Sequence, residues 1–221
     1  MLTEPVQSLT DFALGAVTVV LADRLRRAPA RRRYWLAAFW WFGVAALAGA
    51  VHHGVMARWP QAASVSWTVI SVMVVVAVSY LLAGTVGEVL GPGRWRAFWL
   101  LRSIGVGAYL VVAATGNAGI ATILACEGIT MASILALWAW AAHRHHPLAW
   151  PVLIAIGASA AAASLKAVSP KWLQPIGLDP TSAYHLAQIA GMALLYAAIS
   201  GSRRTVIDVA GRRRSAVAVV E

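Results

Sequence analysis

Charge is what this chain has least of. Asp, Glu, Lys and Arg make up 12% of its 221 residues, about half the share usual in a soluble domain. Such a chain cannot clothe a water-facing surface, which excludes a soluble globular protein. Cysteine is nearly missing: Cys126 stands alone inside an apolar run. One thiol can form no intrachain disulfide and no cysteine-based zinc motif. No basic residue precedes the first apolar run in Met1 to Thr10, so no cleaved signal peptide is expected. Strand patterning is also missing. The apolar runs are long and rich in Ala and Leu, and an open sheet cannot span lipid.

What is present is hydrophobic length. Apolar residues make up 60% of the chain, and its mean hydropathy is +0.71. Seven apolar segments run at 9–23, 34–57, 64–90, 97–115, 118–142, 148–169 and 181–200. Most are long enough for a membrane span; the first and last are short. The expected fold is all-α: a seven-transmembrane-helix bundle over residues 1–202, followed by a basic cytoplasmic tail at 203–221. Small residues such as Gly43, Gly49, Gly105 and Gly107 suit close helix packing. Tryptophans cluster near the segment ends, as in an interfacial belt.

The basic residues set the orientation. Arg24, Arg26, Arg27, Arg31, Arg32 and Arg33 follow the first segment, Arg94 and Arg96 the third, and Arg144 the fifth. Arg203, Arg204, Arg212, Arg213 and Arg214 lie in the tail, and only Arg58, Lys166 and Lys171 fall on the other side. The positive-inside rule then puts the N-terminus outside and the C-terminus in the cytoplasm. The net charge of +10 is therefore a topology signal and a contact to anionic lipid heads, with no nucleic-acid partner implied. The Arg- and Ala-rich composition suggests a high-GC bacterium, hence an integral protein of its cytoplasmic membrane.

Polar residues inside the spans gather at one depth. With that orientation, Glu4 and Asp11, His52 and His53, Ser64 and Ser66, Glu127, Lys166, and His185 with Gln188 all fall in the outer half. A polar residue within a span is costly and is by default a functional candidate. His53 and His185 each lie about four residues inside their segment ends, roughly 6 Å by helix rise. They are expected to share one site.

Histidines from two helices with carboxylates at the same depth can hold a metal, and neutral imidazole suits zinc. The candidate ligands are His53, His185, His52, Gln188 and Glu4. Glu4, Asp11 and Glu127 are candidate general bases, and Lys166 is a candidate counter-ion. The same residues also suit a hydrogen-bonded network capping the bundle, or a proton or ligand site without metal. His143, His145 and His146 sit in a linker with Arg144 and read as a solvated basic loop.

Seven helices, an outside N-terminus, Ala-Val-His52-His53-Gly late in the second segment and Ser-Ala-Tyr-His185-Leu early in the seventh resemble the alkaline ceramidase and adiponectin-receptor superfamily of membrane hydrolases. The orientation is that of the ceramidase branch. The resemblance implies a zinc ion held by one histidine of helix two and two of helix seven, a Ser and an Asp assisting, and hydrolysis of an amide bond in a lipid; for this chain a lipid amide or ester is the expected substrate. His53 (or His52) matches the helix-two ligand and His185 the first helix-seven ligand. The second would fall at Ile189, with Gln188 beside it. Gly49 or Ala48 occupies the position of the serine, and Ser64 and Ser66 that of the aspartate.

Overall fold

The computed structural model describes residues 2–26, 32–116 and 120–217, apart from the side chains at 113, 120, 121, 124, 126 and 202–217. The expected packing of Cys126, the linker residues Arg27 and Arg31, and the tail's basic side chains fall outside the described residues. All regular structure is helical: α1 Pro5–Arg26, α2 Arg33–Gly54, α3 Pro60–Val89, α4 Trp95–Ala114, α5 Ile120–His143, α6 Ala149–Ser164, α7 Pro170–Leu173 and α8 Pro180–Val217. No strand occurs among the described residues. Among the described residues, five stretches are long and apolar enough to cross a membrane: Pro5–Arg26, Arg33–Gly54, Pro60–Val89, Ala149–Ala167 and Pro180–Gly201.

The helices begin and end where the punctuation lies. Pro60, Pro170 and Pro180 open α3, α7 and α8, since proline's fixed φ suits a first turn and its missing N–H is not needed there. The Gly91-Pro92-Gly93 turn stops α3, with φ of 94° and 84° at its two glycines. The sequence does not foreshadow α7, a single turn between α6 and α8. Nor does it foreshadow the length of α8, whose backbone runs past residue 200 to Val217.

Neighbouring pairs close a ring in the order α1, α2, α3, α5, α6, α8, with α4 outside against α5 and α3. Gly15 and Gly43 let α1 and α2 touch: a Cβ on either would fall 2.7 Å from Leu47 or Val19. The two ends of the ring differ in character. At the end holding the start of α2 and the close of α3 and α5, Trp35, Phe39, Leu82, Ile134 and Trp138 are fully buried. The indoles of Trp35 and Trp138 lie 6.4 Å apart, and Trp138 Nε1 donates to Thr85 Oγ1 at 3.2 Å. The other end carries the buried Asp11, His52, His53 and His185.

Candidate functional site

The site is built on the free backbone groups of α2. A helix ends with carbonyls that lack partners. Here Thr3 and Glu4 donate their N–H groups to the carbonyls of Gly54 and His53, each at 3.0 Å. Ser8 Oγ adds a bond to Ala50 O at 2.8 Å. The N-terminus is thus hooked over the last turn of α2, which brings the Glu4 carboxylate onto Nδ1 of His53.

The start of α8 is held as firmly. Asp179 Oδ1 accepts the N–H groups of Thr181 at 2.9 Å and Ser182 at 3.1 Å, and Gln7 Nε2 of α1 donates to the same oxygen at 3.3 Å. Burial by itself would raise the Asp179 pKa, but the bonds from Ser182 and Thr181 outweigh it and hold the group below its usual 3.8. A lowered folded pKa stabilises at pH above the unfolded value, and that contribution is lost as pH falls through the folded one. Asp179→Ala should therefore cost about 0.5–2 kcal/mol at neutral pH. The gap between variant and parent, read by thermal unfolding in detergent, should narrow below pH 3.8.

With both ends fixed, His53 of α2 and His185 of α8 face each other across α1, ring centroids 6.3 Å apart. This is the shared depth expected of them. Between them is Asp11, buried like both rings. Its Oδ1 lies 3.3 Å from His185 Nε2 and its Oδ2 3.8 Å from His53 Nε2. Behind the rings, His185 Nδ1 meets Thr10 Oγ1 at 3.2 Å and His53 Nδ1 meets Glu4. Thr10 Oγ1 also lies 3.0 Å from Val6 O and 3.1 Å from Gln7 O.

Hydrogen-bond balance gives one arrangement of the protons. Thr10 has one hydroxyl hydrogen, and its own helix carbonyls take it, so its oxygen accepts from His185 Nδ1–H. The Glu4 carboxylate likewise accepts from His53 Nδ1–H. Neutral imidazoles held this way turn their Nε2 lone pairs inward, where they meet the oxygens of Asp11. Three acceptors thus converge, and acceptors gathered away from water need protons or a cation between them.

The remaining candidates lie elsewhere. His52 turns toward α3: its Nδ1 is 2.9 Å from Ser66 Oγ and its ring 4.5 Å from that of Trp67. Gln188 Nε2 donates to Ser159 Oγ of α6 at 3.1 Å. Glu127 pairs with Arg102 of α4 at 2.9 Å, on a helix that packs against α3, α4 and α6 rather than α1. Lys166 Nζ sits 4.5 Å over the ring of Tyr184, which adjoins His185. His146 packs on Trp138 and accepts the Leu148 N–H at 3.3 Å, so it braces its loop.

Thr10 carries no signal of its function in the sequence, because a helical threonine ordinarily bonds only its own backbone. Gly49 carries one that reads as a loss. A Cβ there would collide with the Asp11 carboxylate, so the glycine is what admits Asp11.

Among the described residues, no group of three or more His, Cys, Asp or Glu side chains stands as a ready-made metal cage. The donors nearest to one are His53 Nε2, His185 Nε2 and Asp11. Donors about 2.0–2.1 Å from a tetrahedral ion stand roughly 3.4 Å apart; His185 Nε2 meets Oδ1 at 3.3 Å and His53 Nε2 meets the other oxygen, Oδ2, at 3.8 Å.

The chain belongs to a family of unknown function, DUF6962, whose sequence profile matches residues 6–204. That span runs from α1 into α8 and includes His53, His185 and Asp11 but not Glu4. Neither the curated proteins nor the solved structures compared with the chain gave a match.

Proposed function

We propose that this family member is an integral membrane protein, of the bacterial cytoplasmic membrane, with seven spanning helices and an outside N-terminus. α1 to α6 and α8 are the spans. The 20-residue α4 and 24-residue α5 extend about 30 and 36 Å, enough for a hydrocarbon core of about 30 Å. The end carrying the histidines faces outward.

Its activity in this proposal is metal-dependent hydrolysis of a lipid amide or ester. The observation that carries it is the convergence of two imidazole Nε2 atoms on one carboxylate, each imidazole held from behind by an acceptor. Histidine ligands of a metal use one ring nitrogen and have the other oriented by a carboxylate, hydroxyl or carbonyl. His53, His185 and Asp11 would hold a zinc ion, with Glu4 and Thr10 fixing the tautomers. Bound there, zinc would polarise the substrate carbonyl and lower the pKa of the attacking water. Lys166, over Tyr184, would meet the head group at the mouth. The resemblance to the ceramidase branch supports this reading. Asp11, admitted by Gly49, replaces the helix-seven donor that Ile189 does not supply.

A second reading has its own support in Ile189: a chain with two imidazoles is suited to a non-enzymatic bundle capped by a polar network. Elemental analysis of the purified full chain separates the two. The hydrolase reading expects about one zinc per chain, falling by 10- to 100-fold or more in affinity in His185→Ala and Asp11→Asn. It also expects lipid amides or esters to be depleted on overexpression. Metal-free protein from zinc-supplied cells, with unchanged lipids, would establish the non-enzymatic reading.

A further inference from the structure

We propose that a cavity at the end of the bundle opposite the histidines binds a phospholipid whose head group carries both a phosphate and a primary ammonium. The cavity, about 550 Å³, opens where α2 begins, α3 ends and α4 begins. Its charged lining is Arg33, Glu88 and Arg94. Among the described residues none of these three takes part in an ion pair. Arg33 lies instead against its own neighbour, with its Nη2 donating to Tyr34 Oη at 2.7 Å.

Two guanidiniums and one carboxylate, sharing a cavity without pairing, complement a zwitterion. A simple anion would leave Glu88 unmatched, and a simple cation would leave both arginines unmatched. Guanidinium is suited to phosphate, and a carboxylate to an ammonium with N–H groups to donate. The remaining walls are apolar, from Ala83, Val86 and Phe98, which suits the glycerol and first methylenes of a lipid better than a free head group. Trp95 sits at the rim with its ring edge-on to Tyr34 at 5.4 Å, a pair typical of the membrane–water boundary.

The space is kept by glycine. Among the described residues, a Cβ on Gly87, Gly91 or Gly93 would meet nothing within 4 Å, whereas one on Gly84, a turn earlier, would fall 2.9 Å from Trp35. Gly91 and Gly93 have positive φ and serve the turn. Gly87 is helical, so neither its backbone nor its packing requires glycine. An interior helical glycine costs stability, and what this one provides is room in the cavity. The proposal requires residence in a membrane but neither a metal nor hydrolysis.

The test uses the delipidated full chain in detergent, titrated with phosphatidylethanolamine, phosphatidylglycerol or phosphatidylcholine and read by native mass spectrometry. One phosphatidylethanolamine should bind per chain, with the other two lipids about tenfold weaker, the loss expected for one charged hydrogen bond. Gly87→Leu should abolish binding while leaving thermal stability equal or higher. Arg94→Ala, at an exposed position, should weaken all three lipids. Glu88→Gln should bring phosphatidylethanolamine down to the level of phosphatidylglycerol. The proposal is overturned if Gly87→Leu still binds phosphatidylethanolamine, or if the three lipids bind equally to the parent. Equal competition by soluble phosphoethanolamine also overturns it, since the ligand would then be a free head group.

Discussion

Gly49→Ala should disable the candidate site about as thoroughly as removal of Asp11, although residue 49 carries no donor. A methyl group there would stand against the Asp11 carboxylate, 3.0 Å from its Cγ and 3.4 Å from Oδ1. Parting the helices would undo the close packing of Gly15 on Leu47 and of Gly43 on Val19. The carboxylate must rotate instead, away from both Nε2 atoms. A supporting residue of a metal site is typically worth 10- to 100-fold in affinity, so under the hydrolase proposal zinc binding should fall by about that much. Helix propensity moves the other way, since alanine is favoured over glycine by about 1 kcal/mol. The expected signature is lost zinc affinity with thermal stability kept, read by titration and unfolding on the same preparation. A Gly49→Ala protein that bound zinc like the parent would remove Asp11 from the ligand set.

Depth was legible in this sequence and azimuth was not. Segment ends, marked by Pro60, Pro180 and the Gly91-Pro92-Gly93 turn, give each residue a height along its helix. Height alone brings His53 and His185 together, and the structure seats them 6.3 Å apart. Glu127 falls in the same outer half, though deeper, yet α5 stands across the ring from α1, and its carboxylate meets Arg102 instead. The order of helices around the ring follows from which surfaces interlock, and no single segment encodes that. Adjacent residues diverge for the same reason: consecutive positions are about 100° apart on a helix, so His52 reaches Ser66 while His53 reaches Glu4. Gln188 shares a side with His185 but lies a turn deeper, where its neighbour is Ser159 of α6. Gly49 shows the same limit: the sequence shows only that the serine is absent there, whereas in three dimensions a Cβ at that position would meet Asp11.

The largest loss of stability should come from Arg102→Ala. Arg102 and Glu127 are both about 7% exposed, joined at 2.9 Å, and Arg102 Nη1 also donates to Thr130 Oγ1 at 3.0 Å. Among the described residues Glu127 Oε2 has no hydrogen-bond partner, so the arginine is the carboxylate's principal compensation. Removing it strands a charge between helices, typically a loss of about 3–5 kcal/mol. Because α4 lies outside the ring and is held mainly by α5, the damage should centre on α4. Hydrogen exchange should then show α4 opening first while α1 and α2 stay protected. Replacing both partners, Arg102→Met with Glu127→Met, should recover most of the loss, since an apolar pair of similar volume is often neutral or stabilising by about 1–4 kcal/mol. A thermal double-mutant cycle gives the coupling directly. If the double variant were as unstable as Arg102→Ala, the loss would lie in the arginine's packing rather than in the stranded charge. If it were stable but no longer depleted the lipids that the hydrolase proposal expects to be consumed, the pair would have a task beyond holding α4 to α5, as charges kept inside a membrane commonly do.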